Sequence, residues 1–362
     1  MPLSPDRGTR RVIMIAHSHV LGGIERHVLA LSNALARGGH QVAYAGPLNS
    51  WLGEKMTSAG HAHIHLPMHG MYDPLSAWRL RSFARKWKAD ILHGHGQRGT
   101  RYARWAAATR WPVIATAHST TAWKWFGPNH PIIAVSGAVR DMLLTKGFAA
   151  DNVPLVHLGV PDAGAAAPPV PGPIRKERPL MLGMLGRMEA VKGHDIALQA
   201  LRLMSGRVPA RLVFIGADTT DWAQRMKALT AELGLEHLVE FWGQRSDVQE
   251  VFGRMDVMLL PSRREALSLS LIEGAAAGRP TIGARVGGIP EVIEDGSSGL
   301  LVPREDPAAL ADAIAKLAQD DAERLRMGAE ARARFETCFR EEIMLERTVT
   351  CYDRLLEREA VR

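Results

Sequence analysis

Only two cysteines, Cys338 and Cys351, occur in the 362 residues, and both stand in late, helix-like segments. So thiol-poor a chain has no disulfide framework and no cysteine metal site, and it fits a reducing compartment, so a cytoplasmic protein is expected. No apolar stretch approaches the ~20 residues needed to cross a bilayer. Arg10-Arg11 followed by Val12–Ala16 is too short for a signal-peptide core and reads as a first strand. No Asp-x-Asp triplet occurs anywhere. A Mg²⁺-bridged diphosphate site therefore lacks its usual ligands, and no metal or cofactor is expected. Internal repeats and low-complexity tails are missing too.

What is present is ordinary for a globular protein: 46% hydrophobic and 23% charged residues, at a length sufficient for two independent cores. The net charge of +7 is unevenly spread. Residues 1–172 hold 18 Lys/Arg against 8 Asp/Glu, a net of +10, and the remainder nets −3. Within 74–111 stand nine cations (Arg79, Arg81, Arg85, Lys86, Lys88, Arg98, Arg101, Arg104, Arg110) and one acid, Asp90. Trp78, Phe83, Trp87, Tyr102, Trp105 and Trp111 are interleaved with them. Such a segment docks on an anionic membrane or binds an acidic ligand; otherwise it is a pair of solvated helix faces. Nucleic acid is not an expected partner.

Strand-like and helix-like runs alternate twice over, which predicts two doubly wound parallel sheets. The first series has strands at Val12–Ala16, Gln41–Ala45, Ala62–Leu66, Ile91–His93, Val113–Ala117, Ile132–Val135 and Pro154–His157. Helices such as Ile24–Arg37 and Gly137–Lys146 lie between them, each stopped by glycine. Pro161–Pro173 has no side chains for a core and reads as a linker. The alternation restarts with Leu180–Leu185, Leu212–Ile215, Val239–Trp242, Val257–Leu260 and Thr281–Gly283, then late helices at Pro307–Ala318, Ala322–Phe335 and Glu341–Glu357. The expected domains are 1–172, with 340–362 packing back on it, and 173–339.

Chemistry gathers at strand ends. Glu265 and Glu273 flank the passage from the strand Val257–Leu260 into a helix-like run, Leu267–Ala277. Were the span between them all helix, the two would stand about 12 Å apart, at ~1.5 Å per residue. That is too far for a glycosidase pair, whose carboxylates stand roughly 5–9.5 Å apart, and it suits one long ligand held at two points. Arg187 and Lys192 follow the first strand of the second series, where phosphates are normally held; a strand-end salt-bridge pair is the alternative. Gly22-Gly23 opens the first helix and lets backbone N–H groups approach an oxyanion. His118 ends the strand V-I-A-T-A-H. His17, His19, His93 and His95 also end strands and are candidates to line an acceptor site. His61, His63 and His65 share one strand face without an acidic partner, so a strand face is preferred to half a metal site. G-H-G-Q-R-G (94–99) matches a dinucleotide fingerprint, but it follows the fourth strand and no acid lies between Asp90 and Asp141 to bind a ribose.

The segment E-A-L-S-L-S-L-I-E-G-A-A-A-G-R-P (265–280) resembles the E-x₇-E signature of glycosyltransferase family 4, retaining nucleotide-sugar transferases of GT-B fold. V-G-G-I-P-E-V-I-E-D-G-S-S-G-L-L-V-P (286–303), G-R-M-E-A-V-K-G-H-D (186–195) and L-G-G-I-E-R-H-V-L-A-L (21–31) resemble further blocks of that family. The resemblance spans nearly the whole chain and is looser in the first half. It implies an α/β protein of two Rossmann-like domains facing across a cleft, the last helix crossing back onto the first domain. It implies a UDP- or GDP-linked sugar donor and a glycan or lipid-linked acceptor, as in envelope polysaccharide or lipopolysaccharide synthesis, on the inner face of the cytoplasmic membrane. Glu265, His118, Arg187 and Lys192 take the catalytic positions. Donor contacts fall to Gly22, Gly23, Arg187, Lys192, Gly243, Glu265, Ala266, Leu267, Ser268, Leu269 and Glu273. In this assignment Glu273 holds the ribose, Glu265 the sugar hydroxyls, and the cations the pyrophosphate, which Gly23 meets across the cleft. Arg81, Arg85, Lys88 and His95 are the acceptor or membrane candidates. Ala266-Leu267 departs from the usual Gly-Phe or Gly-Leu, F-I-G-A-D (214–218) lacks the family's glycine triplet, and H-L-G-V-P-D (157–162) replaces N-G-V-D. A sugar-nucleotide epimerase, a phosphorylase, or a non-catalytic sugar-nucleotide binder of the same fold are the alternatives.

Overall fold

The structure, a computed structural model, describes residues 8–17, 19, 21–127, 130–162 and 174–360. The chain divides into two compact units, Met1–Pro161 with Arg340–Arg362, and Asp162–Phe339. Most of the expected linker, residues 163–173, lies outside the described residues.

Unit 1 runs β1 (Arg11–Ile15), α1 (Gly23–Arg37), β2 (Gln41–Gly46), α2 (Trp51–Ser58), β3 (Ala62–His65), α3 (Pro74–Trp87), β4 (Ile91–His95), α4 (Gly96–Ala107), β5 (Val113–Ala117), β6 (Ile132–Ala134) and α5 (Gly137–Thr145). The six strands are parallel, in the order β3-β2-β1-β4-β5-β6. Alternation along β1 feeds both faces of the sheet. Val12 and Met14 join a core with Val28, Leu31 and Leu35 of α1, while Ile13 and Ile15 join one with Leu80, Ala84, Tyr102 and Ala103 of α3 and α4.

Unit 2 repeats the plan. It runs β7 (Leu180–Leu185), α6 (His194–Met204), β8 (Ala210–Ile215), α7 (Asp221–Glu232), β9 (Val239–Phe241), α8 (Val248–Arg254), β10 (Val257–Leu260), α9 (Leu269–Ala276), β11 (Thr281–Ala284), α10 (Ile289–Val292), β12 (Gly299–Val302), α11 (Pro307–Gln319) and α12 (Asp321–Cys338). Its strands are parallel in the order β12-β11-β10-β7-β8-β9. The final helix, α13 (Glu341–Ala360), belongs to unit 1. Its Met344, Val349, Tyr352 and Leu355 complete the core beneath α1.

Three expectations need correction. Pro154–His157 is not a strand; it forms a single bridge from Leu155 to Ala134. Pro154 has no N–H to donate, and its only neighbour, β6, is three residues long. β12 forms where a motif, not a strand, was read. The helix after Glu265 starts at Leu269 rather than Leu267, because the Ser268 hydroxyl caps it by accepting from the Leu271 N–H at 3.4 Å. The span from Glu265 to Glu273 is therefore half loop, and the all-helix separation does not apply.

Candidate functional site

Ligands of doubly wound sheets gather beyond the C-terminal strand ends, where the strand order reverses. In unit 2 that point lies between β7 and β10. A small pocket there is lined by Met184, Leu185 and Gly186 at the end of β7, by Lys192 and His194 just beyond, and by Leu259 and Leu260 of β10.

Lys192 closes a short 3₁₀ turn after β7, and Glu265 lies in the loop after β10. The Lys192 Nζ donates to Glu265 Oε2 at 2.5 Å, with both side chains largely buried. Two residues 73 positions apart in sequence thus meet at the reversal point. Backbone geometry permits this only with glycine at two places. At Gly193 (φ +75°) a Cβ would stand 2.1 Å from the Pro261 carbonyl oxygen. At Gly287 (φ +52°) it would stand 1.7 Å from the carbonyl oxygen of Glu265 itself.

Arg263, unremarked in the sequence, fastens the two loops. It donates to both carboxylate oxygens of Asp195 (2.9 and 2.8 Å) and to the Ala190 carbonyl (2.7 Å), and its own N–H bonds the Val191 carbonyl at 2.8 Å. Burial disfavours the Asp195 charge, but the Arg263 hydrogen bonds outweigh it and hold the carboxyl below its usual range. The run S-R-R-E was the available signal. His194, also unremarked, is buried; desolvation lowers its pKa to about 4, and its Nδ1 has no hydrogen-bond partner.

The remaining donor candidates are placed as follows. Arg187 pairs with Glu189 at 2.8 Å and is about half exposed, so it is not joined to Lys192. Glu273 is half-buried in the second turn of α9. Ala266 is half-buried in the loop, while Leu267, Ser268 and Leu269 are buried. Gly243 follows β9, and its carbonyl accepts from the Gly216 N–H at 2.9 Å. In unit 1, Gly22 caps α1 without a side chain and Gly23 opens it, leaving first-turn amides available.

The reversal point of unit 1, between β1 and β4, is occupied by imidazoles instead of ions. His95 ends β4, His118 follows β5, and His27 reaches in from α1. One nitrogen of each lies within 4.8 Å of the others. His95 Nδ1 is 3.4 Å from His118 Nε2, and His95 Nε2 is 3.4 Å from the Met14 sulfur. His27 is 4% exposed, and neither of its ring nitrogens has a hydrogen-bond partner. Such a buried, unsatisfied group costs roughly 1–3 kcal/mol. Burial is the leading cause of the pKa shifts. It lowers His27 to about 4 and His95 and His118 well below the usual imidazole range, with neighbouring histidines adding to the last two. His27 was not among the sequence candidates. Its signal was a polar residue inside the apolar stripe Ile24, Val28, Leu31, Leu35 of an amphipathic helix.

His93 does not line an acceptor site. It is fully buried, its nitrogens engaged by the Tyr352 hydroxyl (2.8 Å) and the Thr116 hydroxyl (2.7 Å). His17 lies against the Arg98 guanidinium, its pKa lowered to about 4 by burial and then by that charge; His19 meets it edge to face. On β3 and beside it, His61 bonds Asn33 and His65 bonds the Leu48 N–H, as a strand face does.

The basic segment also needs correction. Phe83 and Trp87 pack against the core beside Leu80 and Ala84, so they are not membrane-inserting groups. Arg81 donates to the Ala106 carbonyl at 2.8 Å and ties α3 to α4. Helical spacing instead exposes Leu75 and Trp78 (64%), with Tyr72 (66%) just before α3 and Trp105 on α4 exposed too, while Arg79, Arg85, Lys86 and Lys88 are solvent-facing. Arg101 stands over the rings of Tyr72 (4.3 Å), Trp125 (4.7 Å) and Trp105 (5.6 Å), which steadies that rim.

Known proteins resemble this chain along its length. The family model for Glycosyl transferases group 1 matches residues 171–334, and that for Glycosyltransferase Family 4 matches residues 21–163. The chain is similar to the D-inositol 3-phosphate glycosyltransferase of Xylanimonas cellulosilytica, 29% identical, with 90% of this chain and 92% of that protein covered. The enzyme of the same name from Corynebacterium glutamicum is 27% identical, with 86% of each covered. Among solved structures, a glycosyltransferase from Rickettsia africae superimposes with a TM-score of 0.85 at 21% identity, covering 97% of this chain and 99% of that one. Anabaena HepE, solved with UDP and glucose, gives 0.83 at 17% identity, covering 96% and 100%. At these identities the structures speak for the fold alone. Two six-stranded, doubly wound sheets and two family matches that together take in both halves lead to one assignment: the chain belongs to the group 1 glycosyl transferases of glycosyltransferase family 4, and its fold is GT-B.

Proposed function

We propose that the chain moves a sugar from a UDP- or GDP-linked donor to a hydroxyl of its acceptor with retention of anomeric configuration. The observation that carries this reading is the Lys192–Glu265 pair at the reversal point of unit 2. An ammonium group has three donors, of which Glu265 takes one, so Lys192 keeps capacity for a diphosphate oxygen. Arg187 and the amide groups at the start of α9 add positive potential. Glu265, held in place by Lys192 on its carboxylate and by the Gly288 N–H, which donates to its carbonyl at 3.3 Å, accepts from sugar hydroxyls, and Glu273 accepts from the ribose. In the reaction, the bond from the anomeric carbon to the donor phosphate breaks. The acceptor oxygen bonds that carbon on the same face, and the acceptor's proton passes to the departing phosphate oxygen. No step uses a metal ion; fixed cations stabilise the leaving group.

For the acceptor, the exposed Leu75 and Trp78 beside Arg79, Arg85, Lys86 and Lys88 favour a lipid-linked or membrane-proximal glycan. A soluble phosphorylated polyol is the second reading, favoured by the name shared by the relatives, D-inositol 3-phosphate glycosyltransferase. Among the described residues no helix is long and apolar enough to cross a membrane, so the proposed membrane contact is peripheral.

A thermal-shift panel of UDP-, GDP- and ADP-sugars tests the donor. A ligand at 100 times its Kd stabilises by ~2.7 kcal/mol, and one nucleotide class should stand out. Absence of any shift, or donor consumption without an acceptor or with inorganic phosphate alone, overturns the transferase reading; such consumption identifies an epimerase or a phosphorylase.

A further inference from the structure

We propose that Tyr72, Trp105 and Trp125, set around the Arg101 guanidinium, form a binding subsite for an acidic sugar residue, wholly within unit 1. The three rings come from the loop between β3 and α3, from α4, and from the loop between β5 and β6. Both loops follow the C-terminal ends of their strands, so the rim stands on the ligand-facing edge of the sheet. Arg101 lies six residues beyond His95, the cap of α4, which is about 9 Å along the helix at ~1.5 Å per residue. A sugar held there is therefore not the one that reacts; it is a neighbouring unit of an extended acceptor.

Exposure is the first observation. Tyr72 and Trp105 are exposed, and Trp125 is half-buried. Arginine over an aromatic ring recurs in this chain, but elsewhere it seals packing. Arg110 lies over the buried Trp111, and Arg332 over the buried Phe335. At the rim one cation serves three rings that keep open surface. Tyr72 and Trp125 meet edge to face, 5.9 Å apart at 82°, and so form a corner. An aromatic face carries partial negative charge and takes the polarised C–H groups of a sugar ring, and a preset corner loses little rotamer freedom on binding.

Charge is the second observation. Arg101 Nε donates to the Met71 carbonyl at 2.7 Å, while its two terminal nitrogens have no acceptor and no carboxylate among the described residues. The carboxylate beside Tyr72, Asp73, is occupied in capping α3, accepting from the Ser76 N–H (3.1 Å) and hydroxyl (2.6 Å). One turn along α4, the Arg104 Nε is buried without a partner. Its guanidinium fits only because residue 127 is glycine, where a Cβ would stand 2.3 Å from the Arg104 Cζ. Burial, and then the Arg101 charge, disfavour the Arg104 cation. An anion beside Arg101 relieves that repulsion, and the guanidinium fork matches a carboxylate or a phosphate. The ligand is thus a sugar ring bearing an oxyacid group. A bilayer fits the rim less well, since insertion wants an apolar tip and here a cation stands among the rings.

The inference rests on the transferase reading only for the role of that sugar as part of the acceptor. An array of oligosaccharides in uronate, phosphorylated and uncharged forms, probed with full-length protein without donor, tests the subsite. Chains bearing carboxylate or phosphate should be retained, and their uncharged forms should not. Arg101→Gln should weaken binding roughly 10–100-fold, the loss of hydrogen bonds to a charged group. Tyr72→Ala and Trp105→Ala, both at exposed positions, should each weaken it roughly 3–10-fold. Arg110→Gln should bind as the wild type does. Far-ultraviolet circular dichroism establishes folding, and Tyr72→Ala answers the question if Arg101→Gln is not folded. UDP- and GDP-sugar thermal shifts on the same proteins keep the two readings apart: acidic-glycan binding without any donor shift removes the transferase and supports the subsite. No retention of acidic chains, equal retention of uncharged ones, or binding unchanged in Arg101→Gln and Tyr72→Ala overturns it. Variants that lose phosphatidylserine vesicles in place of glycans overturn it too, and assign the rim to a membrane.

Discussion

The two units share one plan, six parallel strands with the same order of crossovers, yet their reversal points are chemical opposites. In unit 2 the strand ends are joined by an ion pair, Lys192 with Glu265, braced by the Arg263–Asp195 clamp. In unit 1 the equivalent place holds three imidazoles that burial keeps neutral. The lesson is that topology selects where a ligand goes and leaves its chemistry to a handful of side chains. A fixed pair of charges suits a diphosphate, which stays ionised. A cluster of neutral nitrogens suits partners that bring hydroxyls.

The comparison breaks first at Lys192. Lys192→Ala should lower turnover by roughly 10²–10³, the loss expected when one preorganised electrostatic donor is removed. Wild-type turnover should meanwhile persist in excess EDTA. Steady-state kinetics with and without chelator read both, and near-normal kcat in the variant means that this lysine is not beside the leaving group.

Acid should separate the units next. The folded-state pKa of His27 lies near 4, below the unfolded value of 6.5. Between those values the unfolded chain binds a proton that the native one refuses. This contribution to stability is therefore complete above about pH 6.5 and falls as the pH drops toward 4, by about 3 kcal/mol for His27 alone. His93, lowered to about 3, adds to it. In unit 2 only His194 is shifted in this way among the described residues. Hydrogen exchange at pH 7 and pH 4.5 should show unit 1 losing protection ahead of unit 2; parallel loss contradicts the contrast.

Two glutamates sharpen the charged side. Glu273→Ala should weaken UDP or GDP binding roughly tenfold, the loss of one charge-assisted hydrogen bond. Glu265→Ala should spare free nucleotide and relax discrimination among sugars. Equal effects of the two on nucleotide affinity would falsify the two-point arrangement. The smallest effect concerns the surfaces. Reversing Arg79, Arg85 and Lys88 to Glu should reduce binding to phosphatidylserine vesicles, each cation contributing about 1 kcal/mol at low salt. A wild type that ignores such vesicles favours the soluble phosphorylated acceptor.

The alternation of strands and helices was legible because buried parallel strands are nearly continuous apolar runs, as in V-M-L-L of β10. β12 escaped notice because four residues, Gly299–Val302, carry too little pattern by themselves and lie at the sheet edge beside β11. Lys192 and Glu265 were each singled out, but nothing local in sequence joins residues so far apart; the crossover of the sheet does. Helical periodicity separates Trp78 from Phe83 and Trp87, and composition alone had grouped them. His27 was obscured because an amphipathic stripe reads its interior positions as packing.

The placement of α13 has a consequence for biosynthesis. Unit 2 is one uninterrupted stretch, whereas unit 1 is sewn from two. Its last helix supplies Tyr352 to the buried His93, Asp353 to Arg10 and Glu341 to Arg37, besides a strip of apolar side chains over β1. A growing chain emerges from the ribosome at ~5–20 residues per second, and domains generally fold in the order they emerge. Here the order is reversed in its final act. Until residue 340 has been passed, the core beneath α1 lacks the side chains of α13, and the whole of unit 2 is translated in the meantime. Unit 1 is thus expected to close last, and pulse-proteolysis of stalled nascent chains ending before and after residue 340 would time its closure.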